Sequence, residues 1–221
     1  MTRNQIAITS AALLVAAFIV GVFAYHRTQD AKLQELGEKT DSVFNRAHSP
    51  VYGSPQAKVR IVEFFDPACE TCRAFYPLIK QMVDAHPGQV QLRIRYTPLH
   101  EGSDTAVKIL EAARLQGVFW PVAEAMLRAQ PVWAAHDRPR PELIWDYLGP
   151  TGLNVKEAQE EMNTPRVVNS IRQDMEDARQ LQVTRTPGFF VNGRPLEDFG
   201  HEQLKALVGA ERQRLYGNTS K

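Results

Sequence analysis

The sequence predicts an α/β fold that contains an all-helical insertion and is preceded by one N-terminal transmembrane helix. Strand patterns at residues 59–65 and 90–96 flank a helical pattern at 69–85, and such a βαβ unit implies a parallel sheet with a right-handed crossover. Helical patterns then fill residues 100–182 before strand patterns return. Residues 6–25 carry no charge and are long enough to span a hydrocarbon core of about 30 Å.

The uncharged N-terminal run is expected to be either a membrane anchor or a secretory signal. The apolar region of a cleaved signal has about 7–15 residues. This run is longer, which favours an uncleaved anchor over residues 1–27, while Val22-Phe23-Ala24 offers a weak cleavage pattern. Residues 28–47 are charged and lack an apolar stripe that could pack on a core, so we expect a spacer.

The charge of the chain argues against a nucleic-acid partner. Its 221 residues include 26 Lys and Arg against 25 Asp and Glu, a formal net charge of +1. The basic residues are scattered, so no cluster is available to neutralise a phosphate backbone. The hydrophobic content of 43% is enough for a core in one or two compact units.

Three patterns define the βαβ unit. Val59–Phe65 is β-branched and aromatic, which is typical of a buried central strand. Apolar side chains then recur every three or four residues and predict a helix from residue 69 to about 85. Residues 90–96 alternate, which predicts a second strand whose polar face carries Gln91, Arg93 and Arg95.

Cap signals divide residues 100–182 into several helices. Ser103 or Asp104 is expected to cap the first, a proline-rich break starts at Pro131, and Asn154 opens a capping box. The last helix of this segment carries one apolar face, formed by Val168, Ile171, Met175, Ala178 and Leu181. The tryptophans of the insertion are expected in its core: Trp120, Trp133 and Trp145.

The C-terminal part returns to strands and ends on a helix. Asn192-Gly193 stands between apolar runs, and this dipeptide is the strongest short-range signal for a β-hairpin. A final amphipathic helix is expected from about residue 201 to 216.

Both cysteines of the chain, Cys69 and Cys72, lie in one CxxC motif where strand gives way to helix. Unpaired amides and the helix dipole lower the pKa of a thiol at that position, which predicts Cys69 as the nucleophile and Cys72 as the resolving thiol. A zinc site is the less favoured alternative, because no second ligand pair accompanies the motif. A purely structural disulfide would normally close a longer loop.

Two segments resemble the thioredoxin superfamily: FFDPACETCRAFYP at residues 64–77 and TPGFFVNG at residues 186–193. The helical insertion resembles that of the DsbA-type branch, and the resemblance covers roughly residues 48–216. It implies a thioredoxin-like domain over residues 48–99 and 183–221 with a helical insertion domain over 100–182. It also implies a thiol:disulfide oxidoreductase that needs no cofactor.

The resemblance assigns roles residue by residue. Cys69 and Cys72 match the active-site pair of the family. Pro187, preceded by Thr186, matches its cis-proline, whose loop packs beside the nucleophilic sulfur and binds polypeptide substrates through main-chain hydrogen bonds. Glu63 matches a buried acid beneath the dithiol that accepts the proton of the second cysteine.

For Glu63 the residues alone leave an alternative open. Arg93 and Arg95 stand on the neighbouring strand pattern, so the Glu63 carboxylate could instead be the satisfied partner of one of these guanidinium groups.

The residues between the cysteines depart from the strongly oxidising members of the family, which carry Pro-His there. Glu70 and Thr71 occupy these positions, and a carboxylate beside Cys69 is expected to raise the thiol pKa relative to a histidine-containing motif. This predicts a less oxidising couple. The hydroxyl of Thr186 could donate to the thiolate and offset part of the effect, so the direction, oxidase or reductase and isomerase, stays open.

The sequence therefore predicts a thiol:disulfide oxidoreductase of the bacterial cell envelope. It would be held in the inner membrane by its N-terminal helix with the catalytic domain in the periplasm, or be soluble there after signal cleavage. Its expected partners are polypeptides with thiols or disulfides and a redox partner protein. The alternatives are a metallochaperone that holds Cu(I) between the same two thiolates and a non-catalytic anchored scaffold.

Overall fold

The computed structural model describes Arg27 and residues 42–217. The chain divides into two compact units, residues 1–46 and 47–221, and in the first of them residues 42–44 are helical. The predicted transmembrane run, residues 6–25, lies outside the described residues. No helix in the described ranges is both long enough and apolar enough to cross a membrane.

The second unit is built on a five-stranded sheet with the order β1-β3-β2-β4-β5. Its strands are β1 (Val51–Gly53), β2 (Val59–Phe65), β3 (Val90–Tyr96), β4 (Gly188–Val191) and β5 (Arg194–Pro195). The pair β2 and β3 is parallel, whereas β1 pairs antiparallel with β3 and β4 pairs antiparallel with β2. Helix α1 (Glu70–Asp84) connects the parallel pair, which confirms the predicted βαβ unit.

Every element between β3 and β4 is helical, which confirms the α/β class with a helical insertion. The α-helices of this segment are α2 (Ser103–Leu115), α3 (Phe119–Trp133), α4 (Val155–Glu161) and α5 (Pro165–Gln180). Two 3₁₀-helices, Pro141–Tyr147 and Gly149–Thr151, join α3 to α4. After β5 the chain ends its described part in α6 (His201–Tyr216).

Two predicted helix boundaries were wrong. Helix α2 is capped by Gly102 in the left-handed region (φ 81°) rather than by Ser103 or Asp104, because the Ser103 hydroxyl donates instead to the buried carboxylate of Asp66. Helix α3 continues past Pro131 to Trp133, whose buried indole N–H donates to the carbonyl of Met126 at 2.9 Å.

One predicted face was wrong in part. The face of β3 predicted to be polar carries Arg95, which is fully buried, while the core-facing side of α5 keeps Ile171 and Ala178 but also carries Asp174 and Asp177 and leaves Val168 exposed. The Arg95 guanidinium bonds to both of these carboxylates. A buried ion cluster therefore takes the place that the apolar pattern assigned to hydrophobic contacts.

Other local predictions were confirmed. Asn192 and Gly193 both have positive φ (49° and 81°), as the tight turn between β4 and β5 requires. The Asn154 side chain accepts from the amide of Glu157 and caps α4. Trp133 is fully buried, and Trp120 and Trp145 pack against the core.

Candidate active site

The two cysteines lie at the N-terminus of α1. Cys69 is the N-cap residue with extended backbone (φ −73°, ψ 120°), and no side chain caps the helix. Both thiols are free, Cys72 is fully buried, and Cys69 is 6% exposed. Because the first amides of a helix have no intrahelical acceptor, they face the Cys69 sulfur.

The surroundings of Cys69 stabilise its thiolate. A hydrogen bond from the Cys72 thiol, the Thr186 hydroxyl and the backbone amides of Cys72 and Thr71 together outweigh the effect of burial and lower the pKa of Cys69 to about 5. In the thiol form the Cys69 sulfur donates to the carbonyl oxygen of Thr186 at 3.3 Å. At neutral pH Cys69 is therefore ionised.

The pKa of Cys72 is shifted in the opposite direction. Burial, the hydrogen bond it gives to Cys69 and the negative charge on Glu63 raise the pKa of Cys72 well above its ordinary value. The two thiols of one motif thus differ in charge at neutral pH, with a thiolate at the N-cap and a protonated thiol one turn inside.

Glu63 lies in the middle of β2 and is fully buried. Neither of its carboxylate oxygens has a hydrogen-bond partner among the described residues. Burial, and next the negative charge on Cys69, raise the pKa of Glu63 to about 8. The carboxyl group is mostly protonated at neutral pH.

The alternative partners of Glu63 are engaged elsewhere. Arg95 bonds to Asp174 and Asp177, and Arg93 donates to the side-chain oxygen of Gln91 at 2.9 Å. The interpretation of Glu63 as the satisfied partner of a strand arginine is therefore wrong.

Thr186 and Pro187 lie in the loop that enters β4. Their peptide bond is cis, and the Thr186 carbonyl faces Cys69. The Thr186 hydroxyl oxygen is buried and has no hydrogen-bond partner in the described part of the chain. This leaves it able to donate to the sulfur when the proton of Cys69 is lost.

Glu70 and Thr71 are exposed between the cysteines. The Glu70 side chain is 66% exposed and its carboxylate lies 3.9 Å from the His136 imidazole, so solvent screens its effect on Cys69. The hydrogen bond from Cys72 is the largest effect on Cys69, followed among the stabilising groups by those from Thr186 and the backbone amides, and the pKa of Cys69 falls to about 5. A tuning role for the Glu70 side chain stays a prediction.

Gln130 is a site residue that sequence reasoning missed. It lies on α3, is 1% exposed, and its side-chain amide donates to the carbonyls of Pro67 (2.7 Å) and Cys69 (2.9 Å). A side chain of the helical insertion thus holds the turn that precedes the dithiol. A single glutamine within a helical pattern gives no signal of this role.

Asp66 is a second residue near the dithiol whose role the sequence does not indicate. Its buried carboxylate accepts hydrogen bonds from the amides of Ala68 (2.9 Å) and Leu99 (2.7 Å), and from the His100 ring nitrogen at 2.7 Å. It thereby fixes the turn after β2 to the loop after β3.

An exposed aromatic ring lies close to the first turns of α1. Phe199 is 43% exposed, and its ring centroid lies 5.0 Å from that of Phe75 and 6.4 Å from that of Phe189. Phe75 follows Cys72 by three residues. The dithiol is thus flanked by apolar surface that solvent can reach.

A metal centre finds no support in the geometry. Within the part of the chain that the structure describes, no group of three or more His, Cys, Asp or Glu side chains is placed to hold a metal ion.

Comparison with known proteins identifies the fold. A thioredoxin family model matches residues 45–210. A thioredoxin-like oxidoreductase from Silicibacter pomeroyi DSS-3 is 32% identical, with a TM-score of 0.68 over 78% of this chain and 97% of that one. The alpha-DsbA1 of Wolbachia pipientis is 16% identical and shares the fold, with a TM-score of 0.68 over 79% and 96% of the two chains.

The curated relatives that match are much longer proteins. The chain is 30% identical over 162 residues to Na(+)/H(+) antiporter NhaA 3 of Salinispora tropica, which is 72% of this chain and 24% of the antiporter. A second antiporter, from Herminiimonas arsenicoxydans, matches over 81% of this chain and 29% of its own length. The chain therefore spans less than a third of these relatives.

Proposed function

Because the chain belongs to the thioredoxin superfamily and has the DsbA-like fold, we propose that it is a thiol:disulfide oxidoreductase whose Cys69 and Cys72 exchange disulfides with polypeptides. One observation carries the proposal: two thiols of one helix terminus have opposite pKa shifts, downward to about 5 at Cys69 and upward at Cys72. Only the first is ready to attack at neutral pH. The relative that is 32% identical is a thioredoxin-like oxidoreductase.

The exchange runs in two steps. The Cys69 thiolate attacks one sulfur of a substrate disulfide, forms a mixed disulfide and releases the other substrate sulfur as a thiolate. Cys72 then loses its proton and attacks the Cys69 sulfur, which forms the Cys69–Cys72 disulfide and releases the second substrate thiolate. Two electrons pass from the dithiol to the substrate, and the reverse sequence oxidises a substrate dithiol.

Glu63 is the proposed proton acceptor for Cys72. Burial and, next, the thiolate on Cys69 raise the pKa of Glu63 and so keep it protonated in the resting dithiol. Formation of the mixed disulfide removes that negative charge and lowers the pKa of Glu63, so that Glu63 releases its proton to solvent and then, as a carboxylate, accepts the proton of Cys72.

The direction of electron flow follows from the same thiolate. A low pKa of the nucleophilic thiol stabilises the reduced dithiol and so makes the disulfide a stronger oxidant. The pKa of about 5 at Cys69 therefore favours oxidation of substrate dithiols, in contrast to the weaker couple expected from the Glu70 side chain.

The substrate is proposed to lie along the Thr186-Pro187 loop. Thr186 presents its backbone beside the Cys69 sulfur, and the exposed ring of Phe199 offers an apolar contact nearby. Extended polypeptide fits such a surface through main-chain hydrogen bonds on one side and apolar burial on the other. A separate redox protein would reset the pair.

The proposed location is the bacterial cell envelope. Residues 1–27 have the length and composition of a membrane anchor or a secretory signal. Disulfide exchange on folding proteins takes place in compartments outside the cytoplasm. The chain would therefore be tethered to the inner membrane, or released into the periplasm after cleavage.

A trapping experiment tests the function. The Cys72→Ser variant lacks the resolving thiol, so incubation of its reduced form with unfolded polypeptides that contain disulfides should accumulate mixed disulfides that a reductant releases. Cys69→Ser should form none. A Cys72→Ser variant that forms no mixed disulfide would contradict the proposal, and tight stoichiometric Cu(I) binding without any exchange would favour the metallochaperone instead.

A further inference from the structure

A groove with a volume of about 600 Å³ runs between α1 and α3. We call it the α1–α3 groove. Its apolar lining includes Tyr76, Pro77 and Leu127, and Arg73 and Arg128 also line it. Arg73 directly follows Cys72 on α1. One end of the groove therefore lies close to the dithiol.

Both carboxylates of the groove are already engaged. Glu124 bonds to the Lys80 ammonium group and accepts from the Tyr76 hydroxyl at 3.4 Å. Asp84 accepts from the Tyr52 hydroxyl at 2.9 Å. Lys80 is further fixed in place, since its ammonium lies 4.5 Å from the ring centroid of Tyr52.

The two arginines are not engaged in this way. In residues 42–217, neither Arg73 nor Arg128 has an ion pair or a side-chain hydrogen bond. Glu124 stands one turn before Arg128 on α3, but it is bonded to Lys80. Asp84 lies eleven residues beyond Arg73 on α1, about 16 Å away at a rise of ~1.5 Å per residue. The end of the groove next to the dithiol thus carries uncompensated positive charge.

We propose that the α1–α3 groove binds an acidic segment of the polypeptide substrate while a cysteine of that substrate is bonded to Cys69. Guanidinium groups bind carboxylates through paired hydrogen bonds, and an apolar lining beneath them favours Glu or Asp next to an apolar residue. The proposal rests on the proposed function and specifies the substrate class. It concerns a different face of α1 from Phe75, the residue that contacts Phe199.

The test measures single-step exchange in the Cys72→Ser background. Each of three peptides carries one cysteine, which is joined as a disulfide to a chromogenic aryl thiol. The peptides differ at a single position, two to four residues from the cysteine, which is Glu, Gln or Lys. The Cys69 thiolate attacks the peptide sulfur and the aryl thiolate leaves, because its lower pKa makes it the better leaving group. Its absorbance reports the second-order rate.

We expect the Glu peptide to react roughly 3- to 10-fold faster than the Lys peptide at low ionic strength. Arg128→Glu should abolish or invert this ratio, because it replaces a guanidinium group of the groove with a carboxylate. The matched control is Arg166→Glu, which reverses an exposed arginine on α5 and should keep the wild-type ratio.

Two outcomes would overturn the proposal that the α1–α3 groove binds an acidic segment. Equal rates for the Glu and Lys peptides would do so, as would an unchanged ratio in Arg128→Glu. A Cys69 that reacts with none of the three peptides would instead overturn the proposed function on which the groove depends.

Discussion

Thr186 contacts the nucleophile with two different atoms. Its carbonyl accepts a hydrogen bond from the Cys69 thiol at 3.3 Å, whereas its buried hydroxyl has no partner within residues 42–217 and can donate to the thiolate, which lowers the pKa of Cys69. The carbonyl thus serves the protonated sulfur and the hydroxyl serves the ionised one. Since an unsatisfied buried hydroxyl costs about 1–3 kcal/mol, ionisation of Cys69 removes a local penalty.

Replacement of Thr186 by valine keeps the shape and removes the hydroxyl. We expect Thr186→Val to raise the pKa of Cys69 above its value of about 5, because one of the donors that lower it is lost. The pH dependence of thiolate absorbance in the ultraviolet measures this. Thr151→Val, which alters a hydroxyl bonded to Leu148 in a 3₁₀-helix, is the control. An unchanged titration of Cys69 in Thr186→Val would show that the hydroxyl does not contact the sulfur.

Glu63 gives the reduced protein a distinctive pH dependence of stability. Its pKa is about 8 in the folded chain and about 4.3 in an unfolded one. Between these values the folded state keeps a proton that the unfolded state has released. The contribution of Glu63 to the free energy of unfolding is therefore fully present below about pH 4 and is lost as pH rises towards 8.

Glu63→Gln removes this dependence. Relative to wild type, the variant should gain free energy of unfolding on going from pH 5 to pH 8, on the order of 2–4 kcal/mol. Urea unfolding of the reduced proteins at the two pH values measures the gain. Cys69 has the opposite dependence because its pKa is lowered, so only the difference between variant and wild type isolates Glu63.

The control for that comparison is Glu160→Gln, at an exposed position of α4. It should behave like wild type at both pH values. If the difference between Glu63→Gln and wild type were the same at pH 5 and pH 8, Glu63 would not be protonated in the folded dithiol.

At the scale of elements, the dithiol turn is held by a helix from the insertion. Gln130 on α3 donates to the carbonyls of Pro67 and Cys69, while the Cys69 carbonyl also accepts from the amide of Arg73 at 3.1 Å. These bonds fix the N-cap, and the N-cap directs the amides that stabilise the thiolate. The insertion therefore acts on the chemistry without contributing a reacting group.

Gln130→Leu should affect both stability and the thiol. Loss of the donor leaves a buried carbonyl unsatisfied, so the free energy of unfolding should fall by about 1–3 kcal/mol. The pKa of Cys69 should rise because the N-cap is less fixed. Chemical unfolding and the Cys69 titration measure the two effects. Gln180→Leu, at the exposed end of α5, should change neither, and a Gln130→Leu variant that matched it would contradict the role.

Which elements the sequence could predict depends on whether the signal is local. The βαβ unit and the hairpin follow from periodicity and from Asn192-Gly193, because both signals reside in neighbouring residues. The nucleophile follows as well, since a CxxC motif after a strand places Cys69 at a helix terminus. These features need no knowledge of distant contacts.

The features that depend on long-range contacts could not be predicted. The buried face of α5 contains Asp174, which becomes acceptable there only through a partner 79 residues away on β3, Arg95. The hydrogen bond from the Gln130 side chain to the Cys69 carbonyl joins residues that are 61 positions apart in the sequence. Periodicity assigns polar residues to solvent, so it fails where a polar side chain is buried with its partner.

At the scale of the molecule, the second unit joins its sheet to the insertion through a buried ion cluster. Arg95 on β3 bonds to Asp174 and Asp177 on α5, and Asp174 also contacts the His48 ring nitrogen at 2.6 Å. The side chains of Arg95 and Asp174 are fully buried. Removal of the Arg95 guanidinium would take one positively charged partner from both buried carboxylates.

Arg95→Met should therefore be strongly destabilising. We expect a loss of about 3–5 kcal/mol in the free energy of unfolding, which is typical when one partner of a buried ion pair is removed. Denaturant unfolding at neutral pH measures it. Arg172→Met changes an exposed arginine on α5 that bonds to Asn169 and should cost less than about 1 kcal/mol. Equal effects of the two substitutions would contradict a structural role for the cluster.

The candidate site draws on four parts of the second unit. Strand β2 provides Glu63, helix α1 provides Cys69 and Cys72, the loop before β4 provides Thr186, and α3 provides Gln130. Each of these groups acts on the charge or the position of one sulfur. The central claim is therefore that the Cys69 thiolate carries out disulfide exchange.

The most direct test of that claim is a single-turnover experiment. It measures, as a function of pH, the rate at which the reduced protein attacks a peptide disulfide. We predict a rate that rises with an apparent pKa near 5, the value at Cys69, and that disappears in Cys69→Ser. Two results would contradict the claim that the Cys69 thiolate carries out the exchange. One is a rate that rises only near the pKa of a free thiol, about 8.5, and the other is a rate that persists in Cys69→Ser.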